Sequence, residues 1–132
     1  MVRVLLVDDH SFVRAAVSAL LSRMEGIEVV GECSDGDEVP DVAPGLRPEV
    51  VLMDVNMPVV SGLEATRRLT RSMPDVKVLI LTGTPDAEGA VEAAEAGASG
   101  YLAKGGNGQR LVDAVLSVAA GGTAWPPEFP PS

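Results

Sequence analysis

Residues 50–58 read VVLMDVNMP, a continuous apolar run that ends in an acid and then in a segment containing proline. Apolar residues on both faces are typical of a strand that is buried within a parallel sheet. The acid, Asp54, would then project from the carboxyl end of that strand, where open α/β sheets bind their ligands. Asp54 is therefore the first candidate for a functional residue.

Five apolar runs of this kind alternate with segments of helical periodicity, which predicts a (βα)5 chain with a parallel sheet and right-handed crossovers. Ser61 followed by Glu64 is a capping-box signature for the start of the third helix, and Asn107 can cap the fifth. The predicted strands are Val2–Val7, Ile27–Gly31, Val50–Asp54, Val76–Thr82 and Gly100–Ala103.

Two of the predicted helices are unusual. Pro40 and Pro44 lie where the second helix should run, and because proline removes a backbone donor and crowds the preceding turn, we expect a short or kinked helix there. The fourth, from Asp86 to Ala96, contains mostly Ala, Glu and Gly. It offers little apolar surface, so we expect it to be the most mobile element.

Composition narrows the function classes. The chain has 132 residues, a net charge of −9 and a pI near 4.4. One domain is expected at this length, and direct nucleic-acid binding is not, since that rests on clustered Lys and Arg. No apolar run approaches the roughly 20 residues that span a bilayer. The lone Cys33 indicates a reduced, partly buried thiol, and we expect a cytoplasmic protein with no membrane association.

Polar residues at the ends of four predicted strands form one chemical set. They are Asp8 and Asp9, Asp54, Thr82 and Lys104. Adjacent carboxylates repel each other and favour a bound cation, and hard oxygen ligands of this kind suit Mg²⁺. An Asp can serve as the nucleophile of aspartyl-phosphate chemistry, with Lys104 offsetting phosphoryl charge and Thr82 donating a hydrogen bond. The sequence therefore predicts phosphoryl transfer to Asp54.

These motifs resemble the receiver domain of two-component response regulators. The resemblance covers residues 1 to about 122 and implies a flavodoxin-like three-layer α/β sandwich with strand order 2-1-3-4-5. It rests on four segments taken together, Asp8-Asp9, Val51–Pro58, Leu81-Thr82-Gly83 and Gly100–Lys104.

The resemblance also implies a ligand set and a phosphoryl donor. Asp9, Asp54 and the backbone carbonyl of Asn56 would ligate Mg²⁺ directly, and Asp8 would act through a water molecule. A sensor histidine kinase would supply the phosphoryl group from its phosphohistidine. His10, next to the acidic pair, is assigned no catalytic role, because a lone histidine at a helix start is more often a capping or surface residue.

A switch is implied in the same way. Thr82 would move toward phosphorylated Asp54, and Tyr101 would rotate into the space that Thr82 leaves; a packed strand aromatic is the alternative interpretation of Tyr101. The side chains of Asn56 and Thr84 would tune the lifetime of the acyl phosphate. Homodimerisation on phosphorylation is a further hypothesis.

Three other segments resemble receivers that precede a LuxR-type helix-turn-helix: Gly31–Gly36, Gly62–Arg67 and Ala96–Tyr101. The parent protein is then expected to regulate transcription and to bind DNA through a C-terminal domain that this chain lacks. We place the receiver at residues 1–122 and a proline-rich tail, or the start of an interdomain linker, at residues 123–132. Lys104 is followed by Gly105 where many receivers have a cis-proline, so a freer loop is expected.

Three alternatives remain open at this point. A haloacid-dehalogenase-like phosphohydrolase also uses an Asp nucleophile and Mg²⁺, but its pattern has an acid where this chain has Asn56. A flavodoxin-like cofactor binder needs a first loop that cradles phosphate, whereas Asp8 and Asp9 would repel one. A degenerate receiver that acts only as a scaffold is the third.

Overall fold

The computed structural model describes residues 1–130, which form a parallel sheet with helices on both faces. The strand order β2-β1-β3-β4-β5 is the one that the resemblance to receiver domains implied. The strands are β1 (Val2–Val7), β2 (Ile27–Cys33), β3 (Val50–Asp54), β4 (Lys77–Thr82) and β5 (Gly100–Ala103). The helices are α1 (Ser11–Ser22), α2 (Val39–Leu46), α3 (Gly62–Ser72), α4 (Ala87–Glu95) and α5 (Gly108–Ala119).

Two strand boundaries differ from the prediction. β2 runs two residues further than expected, to Cys33. Glu32 and Cys33 pair with Leu6 and Val7 of β1, although Glu32 is polar and interrupts the apolar run. β4 begins at Lys77 instead of Val76. In both cases the partner strand decides where hydrogen bonding starts and stops, and local composition cannot predict those positions.

The sheet divides the core into two layers, as expected for strands that are apolar on both faces. Alternate residues of β3 show the division, with Val51 and Met53 in one layer and Val50 and Leu52 in the other. The first layer packs against α2, α3 and α4 through residues such as Val39, Ala65, Leu69, Ala90 and Ala93, and the second against α1 and α5 through Leu21, Val112, Val115 and Val118.

The predicted caps are present. The Ser61 hydroxyl accepts a hydrogen bond from the Glu64 amide (3.2 Å), and the Asn107 side chain accepts one from the Gln109 amide (2.7 Å). The Glu64 carboxylate instead pairs with Arg67 and Arg68, so half of the capping box is used for surface ion pairs. Both helix starts are thus set by local sequence, as predicted.

The second helix is short, as the prolines predicted. A single 3-10 turn, Gly36–Glu38, leads into α2, which has eight residues. Pro40 lies in the first turn, where its missing amide hydrogen costs no hydrogen bond. Pro44 lies inside the helix, and α2 ends soon after it with Arg47 in a left-handed conformation (φ 51°).

The segment after α5 folds back on the sheet instead of leaving it. Ala124 forms a parallel bridge with Gly100, its carbonyl accepting from the Tyr101 amide (2.9 Å) and its amide donating to Ser99 (3.0 Å). Trp125 and Phe129 pack against the first core layer. This segment covers the free edge of β5, which composition alone did not indicate. The boundary near residue 122 stays a prediction.

None of the helices within residues 1–130 is long and apolar enough to cross a membrane.

Candidate functional site

The acidic cluster lies at the carboxyl edge of the sheet. β1 and β3 are neighbours with Val7 opposite Met53, so the next residues, Asp8 and Asp54, emerge side by side. Asp8 is 5% exposed and Asp54 is 2% exposed, whereas Asp9 is more open to solvent. Two carboxylates are therefore buried together, and a third lies at the rim of the pocket.

Lys104 reaches this pocket from the loop after β5. Its amide donates to the Thr82 carbonyl (2.7 Å), which continues the ladder between β4 and β5 past the end of the strand. Its ammonium lies 2.9 Å from Asp8 Oδ2 and 3.2 Å from Asp54 Oδ1. Lys104 thus bridges the two buried acids, as the convergence of strand ends predicted.

Burial controls the electrostatics of the phosphoacceptor candidate. Loss of solvent raises the pKa of Asp54 to about 6, and the negative charge of Asp8 adds to the rise, while Lys104 opposes it. Burial alone would lower the pKa of Lys104, but its contacts with Asp8 and Asp54 outweigh that effect and raise it. The positive charge of Lys104 therefore does not fully offset the negative charges of Asp8 and Asp54.

A cation fits this pocket. Asp54 Oδ2 is buried and has no hydrogen-bond partner among residues 1–130. An unpartnered buried carboxylate oxygen is costly unless a charge or donor satisfies it. Asp8, Asp9, His10 and Asp54 each offer a ligand atom, and all four atoms lie within 4.8 Å of one another. The donor set is dominated by carboxylates, which Mg²⁺ prefers.

The other predicted site residues lie around the pocket without joining the cluster. Thr82 is buried at the end of β4, and its hydroxyl accepts a hydrogen bond from the Thr84 amide (3.1 Å). The Asn56 amide donates to Asp54 Oδ1 (3.3 Å), which places the Asn56 backbone at the pocket with its side chain exposed. The role of Thr82 in the switch, and the roles of Asn56 and Thr84 in setting the lifetime of the acyl phosphate, stay predictions.

Tyr101 points inward. Its side chain is 2% exposed, and its hydroxyl accepts a hydrogen bond from the Asp86 amide (3.2 Å). A Cβ at Gly89 would collide with that hydroxyl, so the bare glycine of α4 leaves room for the ring. The inward position that the switch requires is thus available in this fold, and rotation from another position stays a prediction.

Two residues with well-defined polar contacts were given no role from the sequence. Asp35 is buried and its carboxylate accepts from the amides of Val59 (3.0 Å) and Val60 (2.8 Å). Burial acts to raise its pKa, but these amide donors lower it on balance. Asp35 anchors the loop that follows Pro58. The Ser-Asp-Gly sequence at residues 34–36 is typical of a turn, but it does not predict this long-range contact.

His10 is the other. Its Nδ1 lies 3.1 Å from Asp8 Oδ1, 3.1 Å from Asp9 Oδ1 and 4.0 Å from Asp54 Oδ2. It occupies the position before α1, yet its side chain makes no capping hydrogen bond. His10 is therefore a surface residue, as one of the two sequence interpretations had it, and its ring contacts the carboxylates instead of capping the helix.

Comparison with known families and structures gives one consistent answer. Residues 4–116 match the family described as the response regulator receiver domain. The response regulator GacA of Pseudomonas aeruginosa is 44% identical over 121 residues, which cover 92% of this chain and 56% of GacA. UvrY of Escherichia coli K12 is 45% identical with the same coverage. The chain thus spans a little over half the length of these relatives.

Solved structures agree with this result. A LuxR-family two-component response regulator from Aurantimonas superposes with a TM-score of 0.91 at 36% identity, over 96% of this chain and 91% of that one. The signal receiver domain of a NarL response regulator from Mycobacterium tuberculosis gives a TM-score of 0.86 at 31% identity, over 91% and 97% of the two chains.

Proposed function

This chain belongs to the response regulator receiver domain family, of the LuxR/NarL type, and from that premise we propose that Asp54 accepts a phosphoryl group from a sensor histidine kinase. The single observation that supports this most is the buried, electrically unbalanced Asp54 carboxylate beside Lys104. The chain would be a phosphoacceptor that signals, and not an enzyme that turns over an external substrate.

The two oxygens of Asp54 have different surroundings that suit different tasks. Oδ1 lies beside the Lys104 ammonium, whereas Oδ2 lies on the side of His10 and has no partner within residues 1–130. Oδ2 would bind Mg²⁺ together with Asp9 and the Asn56 carbonyl, and Asp8 would act through water. When bound, the metal would offset negative charge on the phosphoryl oxygens.

Oδ1 is then the attacking atom. It forms a bond to phosphorus as the bond between phosphorus and the kinase imidazole breaks, and the imidazole leaves with that electron pair and is protonated by solvent. Lys104 already lies on this side of the carboxylate, so its ammonium stays close to the transferring oxygens. No general base is needed because Asp54 attacks as a carboxylate.

The output would be a change of surface shape. Thr82 and Tyr101 lie on neighbouring strands, and Tyr101 is hydrogen-bonded both to the start of α4 and to the segment after α5. A movement of Thr82 toward a phosphoryl group would bias the packing of this face, with Thr84 and Asn56 controlling water access. We further propose a cytoplasmic regulator that dimerises on phosphorylation and controls transcription through a LuxR-type DNA-binding domain.

Intact-mass measurement after incubation with acetyl phosphate and Mg²⁺ tests this function. Wild type should gain one phosphoryl group, Asp54→Asn should gain none, and the exposed Asp75→Asn should behave as wild type. If wild type gains no adduct, the chain is a scaffold receiver and the proposal fails. If Asp54→Asn gains the same adduct, Asp54 is not the acceptor. Sustained hydrolysis of a phosphate ester would instead support a phosphohydrolase.

A further inference from the structure

His10 lies over the acidic cluster in a fixed position. Its backbone amide donates to Asp8 Oδ1 (2.8 Å), and its ring Nδ1 lies 3.1 Å from that same oxygen. The ring is largely solvent-exposed, so packing against the core does not hold it there. What holds the ring is its set of polar neighbours, which comprises three carboxylates and, 3.5 Å away, the Lys104 ammonium.

The spacing of these atoms matches a set of metal ligands. Around an octahedral ion with bonds of about 2.1 Å, neighbouring ligand atoms are about 3.0 Å apart and opposite ones about 4.2 Å apart. Nδ1 lies 3.1 Å from Asp9 Oδ1 and 4.0 Å from Asp54 Oδ2, the two carboxylate oxygens that would bind the metal directly. The ring nitrogen therefore needs no large movement to share one ion with them.

A second observation points to a ligand at this place. Asp54 Oδ2 is buried without a partner in residues 1–130, and it is the oxygen of Asp54 that lies 4.0 Å from His10 Nδ1. A cation between Oδ2 and Nδ1 would satisfy both, since a neutral imidazole nitrogen and a carboxylate oxygen are both electron-pair donors. An added carboxylate ligand would instead worsen the repulsion in the pocket.

We propose that His10 supplies a nitrogen ligand, through Nδ1, to the divalent cation that Asp9 and Asp54 hold directly and Asp8 holds through water. With that nitrogen the site binds a first-row transition-metal ion, Mn²⁺ or Zn²⁺, more tightly than its oxygen ligands alone would. Imidazole suits such ions, whereas Mg²⁺ favours oxygen ligands alone. This inference rests on the metal site of the proposed function, and it assigns to His10 a role in metal selectivity.

A spectroscopic test can be specific to His10. His10 is the only histidine of the chain, so in untagged protein a directly coordinated imidazole nitrogen can come from no other residue. We expect the Mn²⁺ complex to show ¹⁴N coupling in pulsed electron paramagnetic resonance, and His10→Ala to lose it. Labelling histidine with ¹⁵N should shift the signal correspondingly. A Mn²⁺ complex of wild type without nitrogen coupling overturns the proposal.

Calorimetric titration supplies an independent readout. The Zn²⁺-to-Mg²⁺ affinity ratio should fall by about tenfold or more in His10→Ala, because even outer partners of a metal ligand affect affinity by about 10- to 100-fold. His10→Gln keeps a polar side chain and should show the same loss, while the exposed Asp75→Asn should retain the wild-type ratio. An unchanged ratio in His10→Ala refutes the nitrogen ligand.

The failure of this inference is distinct from the failure of the proposed function. If Mn²⁺ binds without nitrogen coupling and acetyl phosphate still labels Asp54 in Mg²⁺, only the role of His10 is refuted. If the chain binds none of the three ions and gains no adduct, both are refuted.

Discussion

Replacing Asp54 with asparagine should stabilise the metal-free protein at neutral pH. Burial and the charge of Asp8 raise the pKa of Asp54 from 3.8 to about 6, so ionising this carboxylate costs the folded state more than the unfolded chain. At 1.36 kcal/mol per pKa unit, that difference corresponds to about 3 kcal/mol once the group is fully ionised. Asparagine is close in shape and carries no charge, so it removes the cost.

The sign and pH range follow from linkage. An acid whose folded pKa is raised contributes stability that is present below about pH 4 and is lost as pH rises through about 6. Asp54→Asn should therefore match wild type near pH 4 and exceed it above pH 7, by an amount approaching 3 kcal/mol. Urea unfolding at intervals between pH 4 and 8, in a chelator, measures this difference as a shift of the midpoint.

A matched variant separates local burial from net charge. Asp75→Asn also removes one of the chain's excess negative charges, but Asp75 is exposed on the loop before β4. It should change stability little at any pH, since surface charges interact weakly through water. If the two variants show the same pH profile, or if Asp54→Asn gains nothing between pH 5 and 7, the argument from burial is wrong.

Three further outcomes are expected. Mg²⁺ at 100 times its Kd should add about 2.7 kcal/mol to the unfolding free energy of wild type and so raise its melting temperature, but should not do so for Asp54→Asn; a melting temperature indifferent to Mg²⁺ contradicts the metal site. Gly62→Ala should cost about 1–3 kcal/mol in urea unfolding, because its Cβ would collide with the Asp54 carbonyl, whereas Gly45→Ala, where a Cβ meets nothing within 4 Å, should not destabilise. Trp125→Ala should lower the urea midpoint and expose the β5 edge to hydrogen exchange, with the exposed Phe12→Ala as control; unchanged exchange at Tyr101 would show that the docked segment protects nothing.

The fold was accessible to sequence reasoning because its signals are local. Continuous apolar runs predicted the five strands, and the Ser61 and Asn107 caps predicted two helix starts. The prolines predicted the short α2 because a missing donor acts on its own turn. The acids and the lysine were predictable as a cluster since parallel strands place all their carboxyl ends on one edge.

Contacts between distant segments were not accessible in that way. β2 reaches Cys33 because β1 continues to pair with it, and burial in that pairing raises the pKa of the thiol to about 11. The tail contains several prolines, which by composition favour an extended linker. Ala124 nevertheless forms hydrogen bonds with Ser99 and Tyr101 along the edge of β5. In each case a partner far along the chain decides the outcome.

The sequence by itself determined the order of elements, the sheet edge where Asp54 lies and the residues that gather there. These follow from periodicity and strand ends, which are local features of the sequence. Only the tertiary structure decided how those residues share charge. It placed Lys104 between Asp8 and Asp54, left one Asp54 oxygen without a partner in residues 1–130, and drew His10 onto the acids instead of the helix. The reason is that burial and charge act through space, between atoms that the linear sequence keeps far apart.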